Sequence, residues 1–145
     1  MPSVFCVADY ILQKIKGTTA MKLQKLVYYC QAWSLAWDDV PLFKDDFEAW
    51  SNGPICRNLY CACREEYIIE EDKFDSYRKG SSFTSEQEET MCKVVEYYGN
   101  RDPQWLNELT HMENPWKQAR LGVAQGEPSE NIISKESMQE YYSGL

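Results

Sequence analysis

Histidine is almost missing from this chain: His111 is the only one among 145 residues. Hydrolytic and transfer chemistry usually sets a base, most often histidine, beside a nucleophile. Nothing in the spacing puts any of the six cysteines next to His111, and there is no G-x-G-x-x-G or Walker A loop to cradle phosphates. The expectation is a protein that is not an enzyme and carries no cofactor. Paired C-x-x-C knuckles are missing too. Cys56, Cys61 and Cys63 are spaced by five and two on a predicted helix, which aims Cys61 and Cys63 in different directions, so no metal is expected. The cysteines fall mostly in helix-like segments and read as free thiols of a reducing compartment. No apolar run is long enough to cross a bilayer, and the opening MPSVFCVADYIL has Asp9 in its apolar stretch with no basic leader before it. A cytoplasmic protein without membrane contact is expected. Positive charge is also short, with 15 Lys and Arg against 23 Asp and Glu, for a net charge of −8. Such a surface repels a phosphate backbone, which excludes nucleic acid as a direct ligand, and suits a basic partner.

What the chain has in quantity is aromatic area. Five tryptophans, ten tyrosines and five phenylalanines occur in a length that fits one domain, residues 1–145, around a single core. That is more indole and phenol surface than such a core hides. Exposed Trp and Tyr are the usual anchors of protein interfaces. Three or more of the tryptophans are expected to be structural, and one or two, with Tyr28, Tyr29 or Tyr60, to line a groove for a partner helix or peptide.

The pattern predicts a mainly α fold of about five to seven helices with a small β hairpin or short strands. Val4, Val7, Ala8, Ile11, Leu12 and Ile15 form one helical stripe between Ser3 as N-cap and Gly17 as stop. A second helix starts after Thr18 or Thr19 and runs to about Trp37, its stripe made by Leu23, Leu26, Val27 and Cys30, with Lys22 and Lys25 facing water; it is the expected centre of the fold. Alternation at Phe47–Trp50 and the turn chemistry of Asn52-Gly53-Pro54 predict a strand or hairpin. Pro54 suits the first turn of a third helix reaching roughly Tyr67. Residues 68–82 read as an exposed connection with one more short strand. Ser85 with Glu88 makes a capping box for a helix to Gly99. Asp102-Pro103 and Asn114-Pro115 each start a short helix, with a sharp corner between them around His111, and a Ser134-capped helix closes the chain at Tyr142.

The order of motifs resembles the Panacea domain, also called the SocA-like antitoxin domain. The likeness rests on Val7–Leu12, on Met21-Lys22-Leu23-Gln24-Lys25-Leu26-Val27-Tyr28-Tyr29 through Trp33, on Phe47-Glu48-Ala49-Trp50 with Gly53-Pro54 and Tyr60, and on His111 with Asn114-Pro115-Trp116. The resemblance implies a compact helical module of prophages and other mobile elements that binds and neutralises a toxin, with one branch delivering its toxin to a AAA+ protease. The chain departs from the family pattern at Ile55–Leu59, where an apolar, proline-containing run is usual, and its length leaves no room for an added DNA-binding segment. The expected partner surface comprises Tyr28, Tyr29, Trp33, Trp37, Trp50, Gly53, Pro54, Tyr60, His111 and Trp116. An alternative is a phage or mobile-element inhibitor of a host defence nuclease, whose acidic surface occupies a basic channel. An uncharacterised enzyme ranks last.

Overall fold

A computed structural model describes residues 1–79 and 82–145. The first helix, α1 (Val4–Ile15), begins where the Ser3 hydroxyl accepts the Phe5 N–H at 3.0 Å and ends as Lys16 turns left-handed. Val4, Val7, Ala8, Ile11 and Leu12 are all buried, as the stripe predicts. Asp9 is buried among them, and Arg78 reaches in with Nε and Nη2, each 2.9 Å from a carboxylate oxygen. A strand β1 (Thr18–Thr19) then hands over to α2 (Ala20–Trp33), capped by the Thr19 hydroxyl, which accepts the Lys22 N–H at 3.1 Å.

Helix α2 is the axis of the molecule. It packs against α1, α3 (Arg57–Cys63), α4 (Ser85–Tyr98), α5 (Pro103–Met112), α7 (Lys135–Ser143) and the hairpin, so every residue from Leu23 to Ala32 is buried. A helix enclosed on all sides has no solvent face. That corrects the expectation for Lys25, which lies at 0% exposure instead of facing water. Two glutamines two turns apart serve the polar side of this enclosure. Gln24 gives its Nε2–H to the Cys56 carbonyl at 3.1 Å and takes the Cys56 N–H at 2.9 Å. Gln31 does the same with the Phe43 carbonyl at 2.9 Å and the Leu42 N–H at 2.7 Å. Each amide thus satisfies a loop's backbone as a neighbouring strand would. Beyond Trp33 the chain continues in a wider π-helical turn, Ser34–Asp38, which carries Trp37.

Strands β2 (Phe47–Trp50) and β3 (Gly53–Ile55) form an antiparallel hairpin with Trp50 opposite Gly53, and β5 (Ile132–Ile133) adds to the other side of β2. Phe47 and Ala49 are buried while Glu48 and Trp50 are partly open. Pro54 lies in β3, an edge strand where its missing N–H is tolerated, and not in a helix; α3 starts at Arg57 and stops at Cys63, short of Tyr67. Strand β4 (Ile68–Ile69) pairs with β1, within the connection predicted for residues 68–82, of which residues 80 and 81 lie outside the described residues. Helix α4 is capped one residue earlier than predicted, by the Thr84 and Gln87 pair, which satisfies the same box rule as Ser85 and Glu88. Asp102 caps α5 and Ser134 caps α7 through their side chains. Short α6 (Asn114–Ala119) begins after Glu113, whose side chain leaves the cap position for the interior. Seven α-helices and five short strands are present among the described residues. No helix among them is long and apolar enough to cross a membrane.

Candidate partner-binding cleft

The expected partner residues separate into four groups. Tyr28 and Tyr29 are sealed inside, as are Gly53 and Pro54, which corrects their assignment to an interface: no partner surface can reach them. Trp33 and Trp37 open on one cleft. Trp50 and Tyr60 pack edge to face at 4.8 Å beside a second, smaller one. His111 and Trp116 stack at 4.1 Å beside a third. None of the five indoles is fully buried: Trp37 is 51% exposed and the other four are partly open.

The cleft at Trp33 and Trp37 is the largest of the three, about 840 Å³. Its back wall is the end of α2 and the π-helical turn, where the two indoles lie 4.6 Å apart. The wider turn matters here, because it sets Trp37 against Trp33 at the protein surface while Ser34 and Leu35 stay buried. Helix α5 supplies a second wall from Trp105, Leu109 and Met112, one stripe at four-and-three spacing, and α4 supplies Tyr97 and Tyr98. Tyr141 and Leu145 close the far end. Tyr97 at 58% and Met112 at 66% exposure leave large apolar side chains facing solvent at the rim. Lys93 lies over the Trp37 ring at 5.4 Å and Arg101 over Trp105 at 4.5 Å, so cation–π contacts hold the outer rings in place.

The floor is the Glu113 carboxylate. Its Oε1 accepts hydrogen bonds from the Tyr29 and Tyr142 hydroxyls, both at 2.7 Å, and the Tyr28 hydroxyl lies 3.3 Å from that of Tyr142. No basic side chain among the described residues pairs with it, and burial pushes its pKa up against the opposing pull of the two hydroxyls. Burial, and after it the same carboxylate, hold the Tyr29 hydroxyl far above its ordinary pKa, so it stays a donor. Tyr29 stacks on Tyr98 at 4.1 Å, and Trp33 donates its indole N–H to the Tyr98 hydroxyl at 3.0 Å. The rigid interior is therefore continuous with the cleft wall. Tyr28 and Tyr29 act as its foundation, not its surface.

Most of this wall escaped the sequence reading. Trp105, Leu109 and Met112 had a visible periodic signal, but Tyr97, Tyr98, Tyr141 and Glu113 come from segments whose convergence only the fold sets. The Nε2 of His111 is buried without a hydrogen-bond partner among the described residues, and burial, Lys25 and Arg120 all lower its pKa. Cys61 is exposed and Cys63 buried, so they do point apart.

No curated protein and no solved structure matches the chain. A family model does, over residues 23–117, which spans α2, the hairpin, α3, α4, α5 and the start of α6 and leaves α1 and α7 outside. By that match the chain belongs to the SocA-like antitoxin family defined by the Panacea domain.

Proposed function

We propose that this protein is an antitoxin-type binding module that neutralises a toxin by direct, steric contact, and that the Trp33, Trp37, Trp105, Tyr97 and Met112 cleft is where it grips. Family membership supports the antitoxin role. The observation that carries the choice of surface is the cleft itself: aromatic and aliphatic side chains stand in solvent on walls that are fixed from beneath by stacked, hydrogen-bonded tyrosines. Rigid aromatic anchors lose little conformational entropy on association, so they are efficient binding groups. The net charge of −8 suits a partner segment that presents basic side chains among apolar ones.

The reading is of binding without turnover. It is supported by the environment of His111, which is stacked on Trp116 and makes no hydrogen bond to a nucleophile among the described residues. The test is co-expression with a toxin that the wild type neutralises. The wild type restores growth and the Trp37→Ala, Tyr97→Ala double variant does not, although it accumulates to the same level with the same helical circular dichroism. Undiminished rescue by the double variant would remove the cleft from the account.

A further inference from the structure

The aromatic cleft holds one acidic group that the fold engages on one side only. Glu113 is among the lining residues, and its Oε1 accepts from Tyr29 and Tyr142 at 2.7 Å each. Its Oε2 accepts from no described residue, and it is not among the side-chain atoms sealed without a partner, so it keeps contact with the cleft. Glu113 also acts on the hydroxyls of Tyr98 and Tyr141, which line the same cleft. A carboxylate oxygen stripped of water by burial and left without a donor is the place where an incoming donor gains most.

The surrounding rings select the kind of donor. Indole and phenol faces are electron-rich and draw cations. Three rings of this cleft already do so with exposed side chains of the chain itself: Lys93 stands over Trp37 at 5.4 Å, and Arg101 over Trp105 at 4.5 Å and over Tyr97 at 5.5 Å. The form of the cation follows from which oxygen is free. A guanidinium matches a carboxylate best through two parallel N–H bonds, one to each oxygen, whereas an ammonium is a point charge that needs one. With Oε1 taken by two hydroxyls, Oε2 alone suits an ammonium.

We propose, resting on the reading that this cleft grips the toxin, that it takes in one lysine side chain of that partner, with the alkyl stem between the rings of α4 and α5 and the ammonium donating to Glu113 Oε2. Burial favours the protonated acid in the empty cleft, and an ammonium favours the carboxylate, so uptake releases a proton. Binding therefore strengthens as pH rises through the folded-state pKa of Glu113 and levels off above it. The groups that face Glu113 from α2, α4 and α7 are tyrosine hydroxyls, all held above their ordinary pKa and neutral in that range, with Lys93 and Glu96 of α4 on the same cleft.

The probe is n-butylammonium, a lysine side chain without its backbone, titrated into the full chain at constant ionic strength and followed by the indole N–H signals in NMR spectra. 1-Butanol serves as the neutral isostere and n-propylguanidinium as the arginine counterpart. Expected at about pH 7.5 are saturable shifts of Trp33, Trp37 and Trp105 but not of Trp50 or Trp116, a dissociation constant on the order of 10 mM, and at least about fivefold weaker binding of the alcohol. The guanidinium binds more weakly than the ammonium. Glu113→Gln keeps an acceptor for the two tyrosines and is expected to bind the ammonium no better than the alcohol. If that variant does not fold, the wild type tests the same point: its affinity for the ammonium, and not for the alcohol, rises between about pH 5 and 8. No saturable shift by about 100 mM, equal binding of 1-butanol, tighter binding of the guanidinium or a pH-independent affinity overturns the proposal. Any of these strikes the lysine pocket alone, since toxin binding by the cleft is judged separately by growth rescue with the Trp37→Ala, Tyr97→Ala variant.

Discussion

At the scale of single residues, the least expected feature is a carboxylate that the interior holds without a cation. Glu113 has its folded-state pKa raised by burial. Raised means that the protonated form is favoured in the fold, so its contribution to stability is fully present below the unfolded value of about 4.5 and is lost as pH rises through the folded value. Glu113→Gln keeps an oxygen for Tyr29 and Tyr142 but cannot ionise. We therefore expect the stability of Glu113→Gln, relative to the wild type, to increase between pH 4.5 and neutrality, measured by urea unfolding at several pH values. A constant difference across that range would mean that Glu113 titrates as it does in the unfolded chain. Lys25 is the complementary case, a cation enclosed without an acid. Neither burial was legible in the sequence, where charged residues are ordinarily assigned to water. Their signal lay only in position: Lys25 sits between Leu23 and Leu26 on a helix that is covered all round, and Glu113 stands at a cap site just before Asn114-Pro115.

At the scale of elements, local chemistry fixed more than tertiary chemistry did. The caps Ser3, Thr19, Asp102 and Ser134 were readable because a cap needs only its own hydroxyl or carboxylate and an N–H two or three residues on. The alternation at Phe47–Trp50 and the turn before Pro54 gave the hairpin for the same reason. What failed depended on partners distant in the chain. Pro54 reads as a helix start in the sequence because its pairing with Ala49 is a property of the sheet. The π-helical turn that sets Trp37 on the cleft left no mark in the apolar period. The two glutamine bridges of α2 were hidden likewise, since Gln24 meets Cys56 32 residues away. Gln24→Leu retains the volume and removes both hydrogen bonds, leaving the Cys56 N–H unsatisfied in the interior while the Cys56 carbonyl keeps the Tyr60 N–H at 2.9 Å. A loss of about 1–3 kcal/mol in unfolding free energy is expected by chemical denaturation. A loss below about 0.5 kcal/mol would show that the loop finds other partners.

At the scale of the whole molecule, the aromatic excess seen in the composition is where the account succeeds or fails. Of the expected interface, Trp33 and Trp37 occupy the largest of the three clefts, Trp50, Tyr60, His111 and Trp116 lie beside the other two, and Tyr28, Tyr29, Gly53 and Pro54 are interior. The family match ends before α7, yet α7 contributes Tyr141 to the cleft rim and Tyr142 to its foundation. A surface built partly by a shared scaffold and partly by a segment outside it is suited to keeping one fold while changing its target. The most direct measurement is the dissociation constant of a toxin that the wild type neutralises, determined by titration calorimetry for the wild type and for Trp37→Ala. Our account predicts at least about a tenfold weakening, roughly 1.4 kcal/mol, with Tm unchanged because Trp37 is half exposed. An unaltered constant for Trp37→Ala, with weakening instead on Trp50→Ala or Tyr60→Ala, would contradict it and move the interface to the cleft beside Trp50 and Tyr60.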